Sequence, residues 1–418
     1  MVIKIRKNIV GFIAIYIAFI LPYIEINAIR NKFEYAKGNI YIPSVFPIML
    51  IIYLITFFIN RINKNHKKAK IYYIKKTVHI FRIYSFYLLF ILIISFSHIS
   101  SYVQLMEFVL PFLYAKEMVI FILSYGFDIK TISKHGIICF ITFQLIFLLV
   151  NIKLYGFSFN GNSESRIISV GGGPVILGYT IALVTILWIC FKEKETKFWH
   201  IIIFLSAIIL SIATGSRGSM WPLFAVLFFY FASKKGHICP IKLIILFFLG
   251  TIIILSFDFS DLIPRFYDIT DNSRLITVTK GFEAYKHYNL IQMLFGKGIG
   301  NFFPIQSWNV NESLFTNYNQ WNFEGITLLV QPHNAYIYTL LESGVIGIIF
   351  FISILDSLLK KGLFQMKKIE FKMFAIVVIF IFFIESTVYV AVGSASLWWI
   401  VIMFYSIGVS EEHNPKLK

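Results

Sequence analysis

The chain has 418 residues, of which 58% are hydrophobic and only 14% charged, and its mean hydropathy is +0.77. A soluble protein carries about 25% charged residues, so these figures exclude a water-soluble globule and leave room for roughly a dozen membrane spans of about 20 apolar residues each. The formal charge of +17 does not indicate nucleic acid as a partner, because the Lys and Arg residues fall in short clusters between apolar runs, the pattern of membrane topology.

At the start, Lys4, Arg6 and Lys7 precede an apolar stretch from Ile9 to Leu21. Glu25 and Asn27 stand where a small-x-small cleavage site would be needed, so the segment reads as an uncleaved first span. From there, apolar windows predict twelve spans, near 8–27, 40–60, 78–100, 103–125, 137–157, 173–191, 198–213, 219–233, 241–258, 335–355, 373–390 and 392–409. In lipid only a helix or a closed barrel satisfies its own backbone, and these runs are too continuous for barrel strands. The predicted fold class is therefore all-α, with a single integral membrane domain over residues 1–418. Cys139, Cys190 and Cys239 lie in or beside apolar segments without a pairing pattern, so no disulfide framework or zinc site follows.

Counting Lys and Arg in alternate connections gives the orientation. With the amino terminus inside, the cytoplasmic side collects 25 of the 38 and the other side 10. This bias puts both termini in the cytoplasm. It also puts the one long connection, 258–334, outside. Within that connection Asp271, Asn272 and Ser273 offer an N-cap, and Leu275, Val278, Phe282 and Tyr285 recur at helical spacing. They predict an amphipathic helix over about 273–294, lying along the membrane surface or covering a cavity.

Four places could carry chemistry. Thr214-Gly215-Ser216-Arg217-Gly218-Ser219 is a tight turn between apolar helices. The Arg217 guanidinium suits a phosphate or carboxylate, or anchors the helix pair at lipid headgroups. Arg274 opens the external helix, where exposed amides favour an anion; a solvated surface arginine is the plainer reading. Gly296-Lys297-Gly298-Ile299-Gly300-Asn301 lacks Walker spacing and a βαβ setting, so it reads as a turn that lets the external segment fold back. In Gln331-Pro332-His333-Asn334-Ala335-Tyr336, Asn334 can cap the span that follows, which leaves His333 at the mouth of the bundle. A neutral imidazole there would be either structural or a base for a hydroxyl nucleophile. Glu342 lies in the same span, where an acid implies a partner or a function, and Gly344 and Gly347 permit close packing. The run Asp258, Asp261, Asp268 and Asp271 matches no metal-ligand spacing and reads as solvated loop. Tyr267, Tyr285, Tyr288, Trp308, Tyr318 and Trp321 are sugar-stacking rings or interfacial anchors.

Taken in order, TGSRG, NSR, LFGKGIGNF and PHNAYIYTLLESGVIG over roughly 198–355 resemble the bacterial O-antigen ligase and polysaccharide polymerase family. The resemblance implies an integral-membrane glycosyltransferase of the GT-C type, with a polyprenyl diphosphate-linked oligosaccharide as donor and neither cofactor nor metal. It implies that Arg217 and Arg274 hold the diphosphate and that His333 activates the acceptor hydroxyl; Asn334 and Glu342, from their own positions at the cap and within the span, are the expected second layer around that site. It further implies the bacterial cytoplasmic membrane, a site facing outside, and a repeat-unit flippase and a chain-length regulator as partners. A polymerase of lipid-linked repeat units is the leading reading and a ligase to a lipid A core the nearest alternative. A transporter would share the helix count, but the paired repeats common in transporters are not visible.

Overall fold

The structure is a computed structural model that describes residues 31–32, 41–42, 45–62, 74–95, 99–125, 129–155, 174–191, 197–214, 222–227, 273–299, 320–323, 326–329, 334–360 and 369–379. Its architecture is helical. In chain order come the paired strands β1 (Asn31–Lys32) and β2 (Tyr41–Ile42), then α1 (Val45–Ile62), α2 (Ile74–Ile94), α3 (Ile99–Tyr125), α4 (Ile129–Tyr155), α5 (Pro174–Phe191) and α6 (Lys197–Ala213). After these come α7 (Ser273–Lys286), α8 (Leu290–Phe295), the antiparallel pair β3 (Gln320–Phe323) and β4 (Ile326–Leu329), α9 (Ala335–Lys360) and α10 (Ile369–Ile379). The spans expected at 8–27, 241–258 and 392–409 lie outside the described residues; of 219–233, residues 222–227 are helical.

Burial follows apolar periodicity. Pro174 opens α5, where a missing N–H costs nothing, and Leu177 to Cys190 are buried on every side, as an all-apolar helix requires. The outer helices are apolar on both faces instead. On α1, Ile51, Leu54, Ile55, Phe58 and Ile62 form an exposed stripe at helical spacing, and Phe86, Phe90, Ile93 and Ile94 do the same on α2 opposite its buried Phe81, Tyr84 and Leu88. Stripes of this size are stable against hydrocarbon and not against water. Two helical segments among the described residues, Lys76–Ile94 and Ala335–Lys360, are long and apolar enough to cross a bilayer.

Helix α2 is the pivot that positions the site. The ring of Phe81 stacks on Phe112 of α3 at 3.5 Å between centroids, and Tyr84 meets Phe108 edge-on at 5.7 Å, so α2 and α3 run antiparallel. Against α9, Thr77 and Ser357 share a 2.8 Å hydroxyl bond at one end, while Tyr84 and Ser343 share one of 3.2 Å toward the other. That pair is antiparallel too. In the order of spans expected from the apolar windows α2 would be third and α9 tenth, and opposite parity is compatible with this packing.

One buried polar cluster joins α1 to α3. The Asn60 amide donates to the Glu117 backbone carbonyl (2.9 Å) and carboxylate (3.0 Å), and Lys116 pairs with the same carboxylate at 2.7 Å. Losing a hydrogen bond between membrane helices costs about 1 kcal/mol, whereas stranding one member of a buried ion pair costs about 3 kcal/mol. Thermal unfolding in detergent should therefore show Glu117→Ala as clearly more destabilising than Asn60→Ala. Equal effects would mean that Lys116 gains nothing from its partner.

Candidate active site

The site is built on α9. Asn334 is its N-cap: Oδ1 accepts the backbone N–H groups of Tyr336 and Ile337, both at 3.0 Å, and the Asn334 carbonyl receives Tyr338 N–H at 3.0 Å. The capping role expected from the sequence is thus present. Hydroxyls then bond back along the helix, Thr339 to the Ala335 carbonyl (2.7 Å) and Ser343 to that of Thr339 (2.8 Å). At Gly344 the helical path breaks, with φ 66° and ψ −169°. The result is two half-helices in series, the first of them Asn334 to Ser343.

A broken helix in a bilayer leaves carbonyls that water cannot reach, and each needs a donor. The carbonyl of Leu341 takes the Lys297 N–H (3.2 Å) and the Tyr288 hydroxyl (2.9 Å), and that of Glu342 takes the Gly298 N–H (2.7 Å). The Ser343 carbonyl takes the Tyr87 hydroxyl from α2 at 2.7 Å. The Gly296-Lys297-Gly298 turn thus folds back as the sequence led us to expect, and its amides at 297 and 298 are spent on α9 rather than on a phosphate.

Glycines make this approach possible. A Cβ on Gly344 would overlap the Leu294 carbonyl and the Gly296 nitrogen, and one on Gly296 would overlap the Glu342 carbonyl. Gly296 itself has φ 76° and closes α8, its N–H bonded to the Gln292 carbonyl at 2.7 Å. Further up, a Cβ on Gly281 would meet the Ile337 and Leu341 side chains, which sets α7 against the first half-helix of α9.

The helix expected over 273–294 is interrupted. Helix α7 ends at Lys286, and Asn289 starts α8 with a capping box, its side chain accepting Gln292 N–H at 2.9 Å while the Gln292 side chain accepts Asn289 N–H at 3.3 Å. The break lets Tyr288 turn inward to Leu341. Phe282, Leu290, Ile291 and Leu294 are left exposed, giving the α7–α8 unit an apolar edge. Burial, with the Glu342 carboxylate adding to it, pushes the Tyr288 phenol up, which keeps it protonated and donating. Burial also pushes the Lys297 ammonium down; the group stands 5.3 Å from the centroid of the Tyr288 ring.

Of the residues singled out in the sequence, Asn334 and Glu342 belong to this half-helix, Glu342 only 1% exposed. Arg274 is the second residue of α7, seven residues before Gly281. Arg217 and His333 lie outside the described residues; His333 immediately precedes the Asn334 cap, and Arg217 follows the end of α6 by four positions. The acidic run from Asp258 to Asp271 is also outside them. Reasoning from sequence missed Tyr87, whose signal is only a tyrosine among many aromatics, and the Asn289–Gln292 capping box, whose N-x-x-Q spacing was there to be read; it singled out Tyr288 as a sugar-stacking ring or interfacial anchor and not as the donor to the Leu341 carbonyl.

Residues 168–352 match the family described as O-antigen ligase, a stretch that holds α5, α6, α7, α8 and most of α9. This stretch is similar to the O-antigen ligase family. Members of that family are membrane glycosyltransferases and ligases, and the match supports a function of the ligase or polymerase type. No curated protein matches the chain. The half-helix capped by Asn334 lies wholly within the O-antigen ligase domain, whereas Tyr87 of α2 lies outside it.

Proposed function

We propose that the chain is a membrane glycosyltransferase that joins polyprenyl diphosphate-linked oligosaccharide repeat units into a surface polysaccharide, at the outer face of the bacterial cytoplasmic membrane. The observation that carries this reading is the O-antigen ligase match over 168–352, which contains Arg217, Arg274 and His333 in the order the family resemblance implies. Two structural features support it. The first half-helix of α9 is fixed at both ends, by Asn334 and by the turn at Gly296–Gly298, so a group preceding Asn334 has a rigid base. Helix α7 lies on the same half-helix, and Arg274 is about 10 Å of helix before the Gly281 contact.

The chemistry needs no nucleotide. Departure of the polyprenyl diphosphate drives the transfer, and the enzyme must stabilise the charge that grows on it. Arg217 and Arg274 do this electrostatically, each worth about 3 kcal/mol by comparison with oxyanion donors. His333 takes the proton from the acceptor hydroxyl, which attacks the anomeric carbon opposite the leaving group and inverts it. Glu342 and Asn334 support the helix that carries the base. A repeat-unit flippase would deliver the donor, and a chain-length regulator would limit the product.

The family description favours a second reading, in which the finished glycan moves to a lipid A core. Purified enzyme in liposomes, given lipid-linked repeat unit alone, should build a ladder of longer lipid-linked chains. A ligase would leave the donor unchanged until lipid A core is added. Donor that crosses the bilayer without a new glycosidic bond in either assay would contradict both readings and make the protein a carrier.

A further inference from the structure

We propose that Tyr87, in the half of the chain that precedes the O-antigen ligase domain, is a positioning residue for the transfer reaction. The inference rests on the reading above, in which His333 is the base. One phenol reaches three segments: from α2, its hydroxyl stands 2.7 Å from the Ser343 carbonyl at the break in α9 and 3.3 Å from the Phe295 carbonyl at the end of α8. Its ring packs on Phe295 (6.4 Å between centroids) and on Phe350 beyond the break (5.5 Å). The Ser343 carbonyl ends the half-helix that begins at Asn334, and the turn bonded to Leu341 and Glu342 follows directly on Phe295.

A half-helix released from its second half at Gly344 depends for its position on what docks against it, along its side at Gly281 and at its two ends. The amino end has Asn334. The carboxyl end has the Gly296–Gly298 turn, Tyr288 and, from α2, Tyr84 and Tyr87; Tyr87 is the one of these two whose hydroxyl reaches backbone carbonyls both of the half-helix and of α8, and the Thr77–Ser357 bond fixes α2 against the far part of α9. The neighbouring Tyr84 differs: its hydroxyl meets the Ser343 side chain, which is already bonded to the Thr339 carbonyl. Tyr87 therefore sets where the half-helix sits, and with it the group at position 333. Displacements of about 1 Å in a reacting group cost up to 100-fold in rate.

The test is Tyr87→Phe, which keeps the ring and removes the hydroxyl, assayed on purified lipid-linked donor. Expected is a fall in kcat of at least 10-fold with donor KM within twofold, and Tyr84→Phe should lose less. In a His333→Ala background, assayed at high enzyme concentration, Tyr87→Phe should add no further loss, because a positioning residue has nothing left to position. A second readout needs no turnover: acylation of Lys297 by a water-soluble amine reagent, followed by peptide mass spectrometry, should rise severalfold in Tyr87→Phe as the turn loosens. Unchanged kcat, or a loss that adds fully to that of His333→Ala, overturns the proposal. Full turnover in His333→Ala alone would sink the base assignment instead, and the Lys297 readout would then still report whether Tyr87 holds the turn.

Discussion

Gly344→Ala should remove more than 99% of the transfer activity and lower stability by about 3 kcal/mol, the largest effect expected of any single methyl group in the described part of the chain. Two costs coincide there. A residue with a side chain at φ 66° and ψ −169° carries roughly 1–3 kcal/mol of backbone strain. The added Cβ would also press on the Leu294 carbonyl and the Gly296 nitrogen, which are backbone atoms in a turn held by hydrogen bonds and cannot rotate aside. The turn would have to leave α9, stranding the carbonyls of Leu341 and Glu342 in a place without water. Gly281→Ala provides the contrast: its Cβ meets the Ile337 Cγ2 methyl, a side-chain atom and not backbone, and Gly281 is not in the left-handed region, so it should lose less activity than Gly344→Ala. Thermal unfolding in detergent, together with turnover of lipid-linked donor, separates the two variants. A benign Gly344→Ala would show that the break in α9 is not needed.

The second large effect is chemical. His333→Ala should reduce kcat by about 10²- to 10⁴-fold, the usual contribution of a general base, with donor binding retained, since the proposed mechanism gives the diphosphate to Arg217 and Arg274. The contrast with the cap beside it is informative. Asn334→Ala leaves the imidazole in place and removes the acceptor for Tyr336 and Ile337 N–H, which costs about 1 kcal/mol of helix stability and should affect the reaction more weakly. Equal losses in kcat for the two would mean that position 333 matters for the helix start and not for proton transfer.

The parts of this molecule that were legible in the sequence are those that a single strong constraint dictates. Hydrocarbon forces runs of about 20 apolar residues, so α2, α5, α6 and α9 fall close to where hydropathy puts them. The cap at Asn334 was legible because an Asn directly before an apolar run satisfies amides that nothing else nearby can reach. Gly344 was read only as a packing residue. It is one, against Leu294 and Gly296, but its positive φ depends on a turn almost fifty residues earlier in the chain supplying the missing donors. The interruption of the helix expected over 273–294 shows the opposite failure: the apolar repeat of Leu275, Val278, Phe282 and Tyr285 continues toward Leu294 and hides the local signal at Asn289 and Gln292. Tyr87 was illegible in principle, because its importance comes from two carbonyls on distant elements and from no pattern around it.

The account depends on Arg217, Arg274 and His333 sharing one side of the membrane. With the three native cysteines replaced, single variants Arg217→Cys, Arg274→Cys and His333→Cys can be treated in intact cells with a membrane-impermeant maleimide. We expect all three to be labelled from outside, with added polyprenyl diphosphate slowing the labelling; reaction of any one of them only after the inner face is exposed would contradict the proposed site.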